Sequence, residues 1–125
     1  MKYDPIFRYG AKDRRLFKIQ KGYIGYVNDH HVIPKKFKSH PIIIETEFDI
    51  NARFNLLIMP TPDGLYNLNL RPDIIPHKPH FVYNQNVELG LNILHLKYKT
   101  IDEKNYYLWL FVNWLKDHKL SSSFW

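Results

Sequence analysis

A chain of 125 residues, 45% hydrophobic and 16% aromatic, has the material for one core, is too short for two, and gives no compositional case for disorder. With no cysteine it has neither disulfide staples nor thiolate metal ligands, so any metal site must draw on His, Asp, Glu or Asn. The first residues lack the charged and apolar regions of a signal peptide, and the longest apolar run, Tyr106 to Val112, is far short of the ~20 residues that span a bilayer, so a soluble domain is expected.

The net charge of +6 is unevenly spread. Residues 1–40 hold ten Lys/Arg against three acids, whereas the remaining 85 hold eight against nine. A polyanion bound to the first segment would release counterions and show steep salt dependence. A solvated basic surface is the plain alternative.

In chain order, Arg14, Arg15, Lys18 and Lys21 fall near helical spacing around Leu16, Phe17 and Ile19, which suggests a short helix within a basic N-terminal segment, residues 1–20. Gly22 to Val27, aromatic and β-branched, reads as a strand that delivers Asn28 to His31 at its end. Pro34 stops it, and Lys35, Lys36 and Lys38 form a basic turn leading to His40-Pro41. Phe54 to Met59 is a second strand candidate, and Leu65 to Leu70 an edge strand or loop. Tyr83, Val87, Leu91 and Leu94 describe one face of a helix that starts near His80. A further helix, residues 103–119, carries Tyr107, Trp109, Phe111 and Trp114 as expected core, with Lys116, His118 and Lys119 at the end that favours cations.

The stretch with most chemistry is Asp29-His30-His31-Val32-Ile33-Pro34. Imidazole takes up a proton near neutral pH and is also the commonest nitrogen ligand for a divalent metal. Neighbouring residues of an extended chain point to opposite sides. One of the pair can therefore hold an ion while the other activates water. Of the seven histidines, His40, His95 and His118 read as ordinary surface or core residues, and His77, in a proline-flanked loop, stands between the two readings.

A strand, a double histidine, a second strand with Asn55, and a helix opening on His80 together resemble the HNH endonucleases of the ββα-metal, or His-Me finger, fold. The likeness is greatest to the branch named for Ala-His-His, found as nuclease modules of bacterial polymorphic toxins. It covers roughly Tyr26 to Leu115, through His30-His31-Val-Ile-Pro34, His40-Pro41, Phe48-Asp49-Ile50-Asn51, Asn55-Leu-Leu-Ile-Met-Pro60, and His80 ahead of Tyr83-Asn84. Three positions depart from the pattern: Asp29 stands for the alanine, Phe81 for a proline, and no glycine separates His77 from His80. The carboxylate of Asp29 would be an additional ligand.

The resemblance implies an α+β fold in one domain, residues 1–125, with a ββα-metal core over residues 22–95 and an additional C-terminal helix. It further implies a metal-dependent endonuclease acting on DNA with little sequence preference. His31 would be the general base, and Asn55 would tie the loop between the strands and hold His31. His30 would bind one divalent ion, Mg²⁺, Mn²⁺ or Zn²⁺, together with His80 and either His77 or Asn84. Lys35, Lys36 and Lys38 would contact phosphates. An acidic immunity protein would be the partner of such a toxin, which acts in the cytoplasm or is delivered as an effector. The alternatives are a basic nucleic-acid-binding module without chemistry, and a domain whose histidines form a structural zinc site.

Overall fold

The computed structural model describes residues 5–68 and 81–120. They form a mixed α+β structure, mostly helical, around one two-stranded antiparallel sheet. Strands β1 (Val27–His31) and β2 (Leu56–Pro60) pair with His31 opposite Leu56 and His30 opposite Leu57. The sheet begins later than the composition of Gly22 to Val27 suggests. Gly22 ends helix α1 (Lys12–Lys21) in the left-handed region at φ 73°, and Gly25 turns the chain again at φ 85°. Two turns therefore occupy the stretch expected to be extended. The double histidine lies within the strand and not in a loop beyond it.

Helix α1 buries one side chain, and it is Arg14; Leu16 and Ile19 are 47% and 50% exposed. What fixes the helix is polar. The Asp13 carboxylate accepts from the backbone N–H of Arg14 (2.8 Å), a donor that the first turn leaves orphaned, and from that of Phe7 (3.0 Å), which ties the preceding chain to the helix.

Between the strands lie a 3-10 turn (Lys35–Phe37), helix α2 (Pro41–Thr46) and a second 3-10 turn (Arg53–Asn55). Pro41 stands at the first helical position of α2, where its missing N–H costs nothing, and His40 caps the helix by accepting the Ile42 N–H at its Nδ1 (3.2 Å). After β2, residues Pro62–Asn67 form helix α3, so the first part of Leu65 to Leu70, expected as an edge strand or loop, is helical, while Asn69 and Leu70 lie outside the described residues. Thr61 is its N-cap, accepting the Gly64 N–H at Oγ1. Gly64 is required by close approach, since a Cβ there would meet the Tyr26 carbonyl oxygen at 1.9 Å.

The core joins the loop between the strands to the two long helices, α4 (Phe81–Lys97) and α5 (Ile101–Leu115). Tyr83, Val87 and Leu91 point inward from α4, as their spacing suggests. Helix α5 starts at a Thr100/Glu103 capping box and buries Leu108, Val112 and Leu115. Its core face is thus one residue away from the expected one: Trp109 and Trp114 are 48% and 44% exposed, while Phe111 is only partly covered. Lys104, on the buried face, pairs with Glu45 of α2 and donates to His95 Nδ1 of α4 (3.2 Å), so three helices meet on one ammonium. Among the described residues no helix is long and apolar enough to cross a membrane.

Helices α4 and α5 approach closely because Gly90 presents no side chain to the Phe111 ring; a Cβ there would lie 2.3 Å from its Cζ. Gly90→Ala therefore sets a gain in helix propensity of about 1 kcal/mol against overpacking of about 1–3 kcal/mol. Urea denaturation is expected to show net destabilisation, relieved when Phe111→Leu is added; a stabilised single variant would refute the close contact.

Candidate functional site

Consecutive positions on β1 send the two histidines to opposite sides of the strand. His30 is buried, 5% exposed, and its ring meets the edge of Tyr83 on the first turns of α4 at 5.5 Å between centroids. Tyr83 is itself anchored, its hydroxyl donating to the Val32 carbonyl at 2.5 Å, and burial raises its pKa well above the usual phenol range. Asn84, the next residue of α4, is partly exposed. His77 and His80 lie outside the described residues. Among the described residues no three His, Asp or Glu side chains converge as a metal site requires, and His30 with Asn84 are the proposed ligands that can be located.

His31 turns the other way and is half-buried between Tyr9, whose ring meets it at 4.7 Å, and Asn51. Its Nε2 lies 2.9 Å from Asn51 Oδ1. An amide oxygen only accepts, so Nε2 carries the proton and Nδ1 the lone pair. The pKa of the ring is lowered, first by burial and then by the charges of Lys35 and Arg14, against the opposing effects of the Asn51 hydrogen bond and Asp29. A neutral imidazole of fixed tautomer results.

Asn51 has support of its own. Its backbone N–H donates to Asp49 Oδ1 (3.1 Å), and its carbonyl accepts the Tyr9 N–H (2.9 Å). Asp49 takes both guanidinium nitrogens of Arg8, at 2.6 and 3.2 Å. Asn51 belongs to the motif Phe48-Asp49-Ile50-Asn51, yet its bond to His31 crosses twenty residues of chain and leaves no local pattern to read.

Asn55 is fully buried in the turn before β2, and every part of its amide is used. Oδ1 accepts the Ile33 N–H (2.9 Å), while Nδ2 donates to the carbonyls of Ile33 (3.1 Å) and Ile50 (2.8 Å). The loop leaving His31 is thereby joined to the loop that carries Asn51.

Asp29, next to His30 on β1 and so on the other side of the strand, is taken up by cations of α1. Its buried carboxylate accepts from Arg14 Nε and Lys18 Nζ, each at 2.8 Å, and so binds α1 to β1. Lys35, Lys36 and Lys38 are exposed, with the Lys35 ammonium 4.4 Å above the Tyr9 ring and that of Lys36 5.4 Å from the Phe37 ring. His40 caps α2 and pairs its Nε2 with Asn92 Oδ1 of α4 at 2.7 Å, a structural assignment that agrees with its plain reading. The basic N-terminal segment is more than an appendage: Arg8, Tyr9 and Arg14 each join it to the strand or to the loop that bears Asn51.

Comparison with protein-family models, with curated proteins and with solved structures finds no match for this chain. The fold by itself defines a class: a mixed α+β, mostly helical chain with a small antiparallel sheet among the described residues.

The amide of Asn55 supports a strong stability prediction. Asn55→Ala leaves one buried N–H and two carbonyls without these partners, at about 1–3 kcal/mol for each group left unsatisfied. Chemical denaturation is expected to show a loss of about 3 kcal/mol or more. A loss below about 1 kcal/mol would mean that the loops do not depend on this side chain.

Proposed function

We propose that this chain is a metal-dependent endonuclease of the ββα-metal class that hydrolyses phosphodiester bonds in DNA with little sequence preference, as the toxin module of a bacterial toxin and immunity pair. The observation that carries the reading is His31: half-buried, with lowered pKa, and with Nε2 committed to Asn51 so that Nδ1 is left to accept a proton. Such a ring is what a general base at neutral pH needs.

In the proposed reaction Nδ1 of His31 takes a proton from a water, whose oxygen attacks phosphorus as the bond to the leaving oxygen breaks. Asn51 holds the tautomer throughout. Asn55 acts at one remove, as a positioning residue, by fixing the loop on each side of that pair. Placement of this kind matters because misalignment of about an ångström costs on the order of 100-fold in rate. His30, with His80 and either His77 or Asn84, would hold the ion. The donor set is nitrogen and oxygen without thiolate, which suits Mg²⁺, Mn²⁺ or Zn²⁺. When bound, such an ion stabilises charge on the phosphate and the leaving oxygen. Exposed Lys35, Lys36 and Lys38 would meet neighbouring phosphates, and an acidic immunity protein would cover the same basic surface.

The burial of His30 against Tyr83 favours one alternative, a structural zinc site built on the same ligands. A chelator would then unfold the protein, whereas an enzyme loses activity and keeps its fold.

Nicking of supercoiled plasmid in the presence of Mg²⁺, Mn²⁺ or Zn²⁺ is the direct test. His31→Ala is expected to lower the rate by about 10²–10⁴-fold while DNA binding persists. An unchanged rate in that variant would end the reading.

Activity is also expected to fall as the pH drops and His31 takes up a proton. Because burial lowers its pKa, the midpoint of that acid limb should lie below the ordinary histidine value of 6.5. A midpoint above 6.5 would assign the limb to another group.

A further inference from the structure

Next to Tyr9, whose ring packs on His31, is a cleft of about 320 Å³ between the turn at Tyr9-Gly10-Ala11, helix α1 and the strand residue Asp29. Its volume is near the lower end of the ~300–1,000 Å³ typical of small-ligand pockets. Arg14, Arg15, Lys18 and Asp29 line it, leaving a net charge of +2 in the wall, and Tyr9 and Ile24 supply an apolar side.

The three cations are differently held. Arg14 is 2% exposed, with Nε on Asp29 (2.8 Å) and Nη1 on the Phe7 carbonyl (2.9 Å). Its Nη2 is buried and has no hydrogen-bond partner among the described residues. A buried guanidinium nitrogen in that condition is costly unless an acceptor reaches it. Lys18 is bound to the other oxygen of Asp29 at 2.8 Å, so the single carboxylate is already shared by two cations. Arg15 is exposed at the rim. One acid against three bases, two of them fixed in a wall of low polarisability, makes the cleft attractive to an anion and unattractive to a cation.

Tyr9 links this cleft to the proposed base. It lines the cavity, its ring lies 4.7 Å from that of His31, and the Lys35 ammonium sits 4.4 Å above it. A chain of phosphates with one member at His31 would therefore bring a neighbour within reach of the cleft.

We propose that the cleft is a binding subsite for a nucleotide of the substrate strand adjacent to the cleaved bond. Arg15 at the rim takes its phosphate, the buried Arg14 guanidinium adds positive charge in the wall behind it, and Tyr9 and Ile24 lie against its sugar and base. Arginine suits this role because its planar fork matches phosphate oxygens. The inference rests on the nuclease reading for the identity of the strand, and it adds a contact that the lysines after Pro34 do not make.

The test uses binding and needs no cleavage. The full chain carrying His31→Ala is titrated with a fluorescent 12-base-pair DNA duplex over a range of salt concentrations, with Arg15→Gln, Lys35→Gln or Lys97→Gln added singly. Arg15 and Lys97 are both exposed, and Lys97 lies at the far end of α4 as the control. The Arg15→Gln change is expected to lower the slope of log K against log salt by about one, equivalent to about fivefold weaker binding near physiological salt. The Lys97→Gln change should leave both quantities unaltered. If Arg15→Gln behaves like the control while Lys35→Gln weakens binding, the subsite is refuted and the nuclease reading stands. If the unaltered chain does not bind the duplex at all, both fall.

Discussion

The geometry around His31 depends on one buried amide. Asn55 accepts from the Ile33 N–H and donates to the carbonyls of Ile33 and Ile50, so residues far apart in the chain are held by a side chain with no exposure to solvent. The two-stranded sheet alone would be a marginal element. Here β1 and β2 are additionally joined where the chain leaves one and enters the other, and the helices pack on that joint through Tyr83, Val87 and Leu108. Backbone groups that would otherwise be buried and unpaired are thus given partners by a residue that no hydrophobic pattern selects.

A second set of polar contacts brings the N-terminal segment into the same arrangement. Arg8 reaches Asp49, the Tyr9 N–H reaches the Asn51 carbonyl, and Arg14 and Lys18 close on Asp29. Helix α1 leaves Leu16 and Ile19 largely in solvent, so its attachment is mainly ionic, where α4 and α5 add an apolar core to the single ammonium of Lys104. Buried ion pairs of this sort give little net stability but require a defined geometry, because removing one partner leaves a charge uncompensated. The strand, the Asn51 loop and the N-terminal turn consequently meet at the rings of His31 and Tyr9.

How far the residues announce this depends on whether the signal is local. The α4 face was legible because Tyr83, Val87 and Leu91 alternate with polar neighbours at helical spacing. The α5 face was not, since Tyr106 to Val112 is apolar throughout and offers no contrast from which to choose a side. The first strand was displaced because glycine at positive φ turns a stretch whose composition favours extension. At the site, the opposite directions of His30 and His31 follow from strand geometry alone. The partnership of His31 with Asn51, and the neutralisation of Asp29 by α1, are tertiary events between residues whose spacing carries no rule. Net charge misleads in the same way: of the basic residues crowded into the first forty, Arg8, Arg14 and Lys18 are engaged by carboxylates within the fold.

The group behind His31 is an amide, and that choice has a consequence for charge. A carboxylate in its place would draw the imidazole toward its cationic form and add an anion close to where the proposed reaction would bring a phosphate. Asn51 orients the ring through a dipole instead and contributes no formal charge. Burial, and after it Lys35 and Arg14, can then depress the ring's proton affinity without a counterion opposing them from Asn51's position. The ring is kept ready at neutrality by its surroundings, and the nearby field remains one that an approaching polyanion would find favourable.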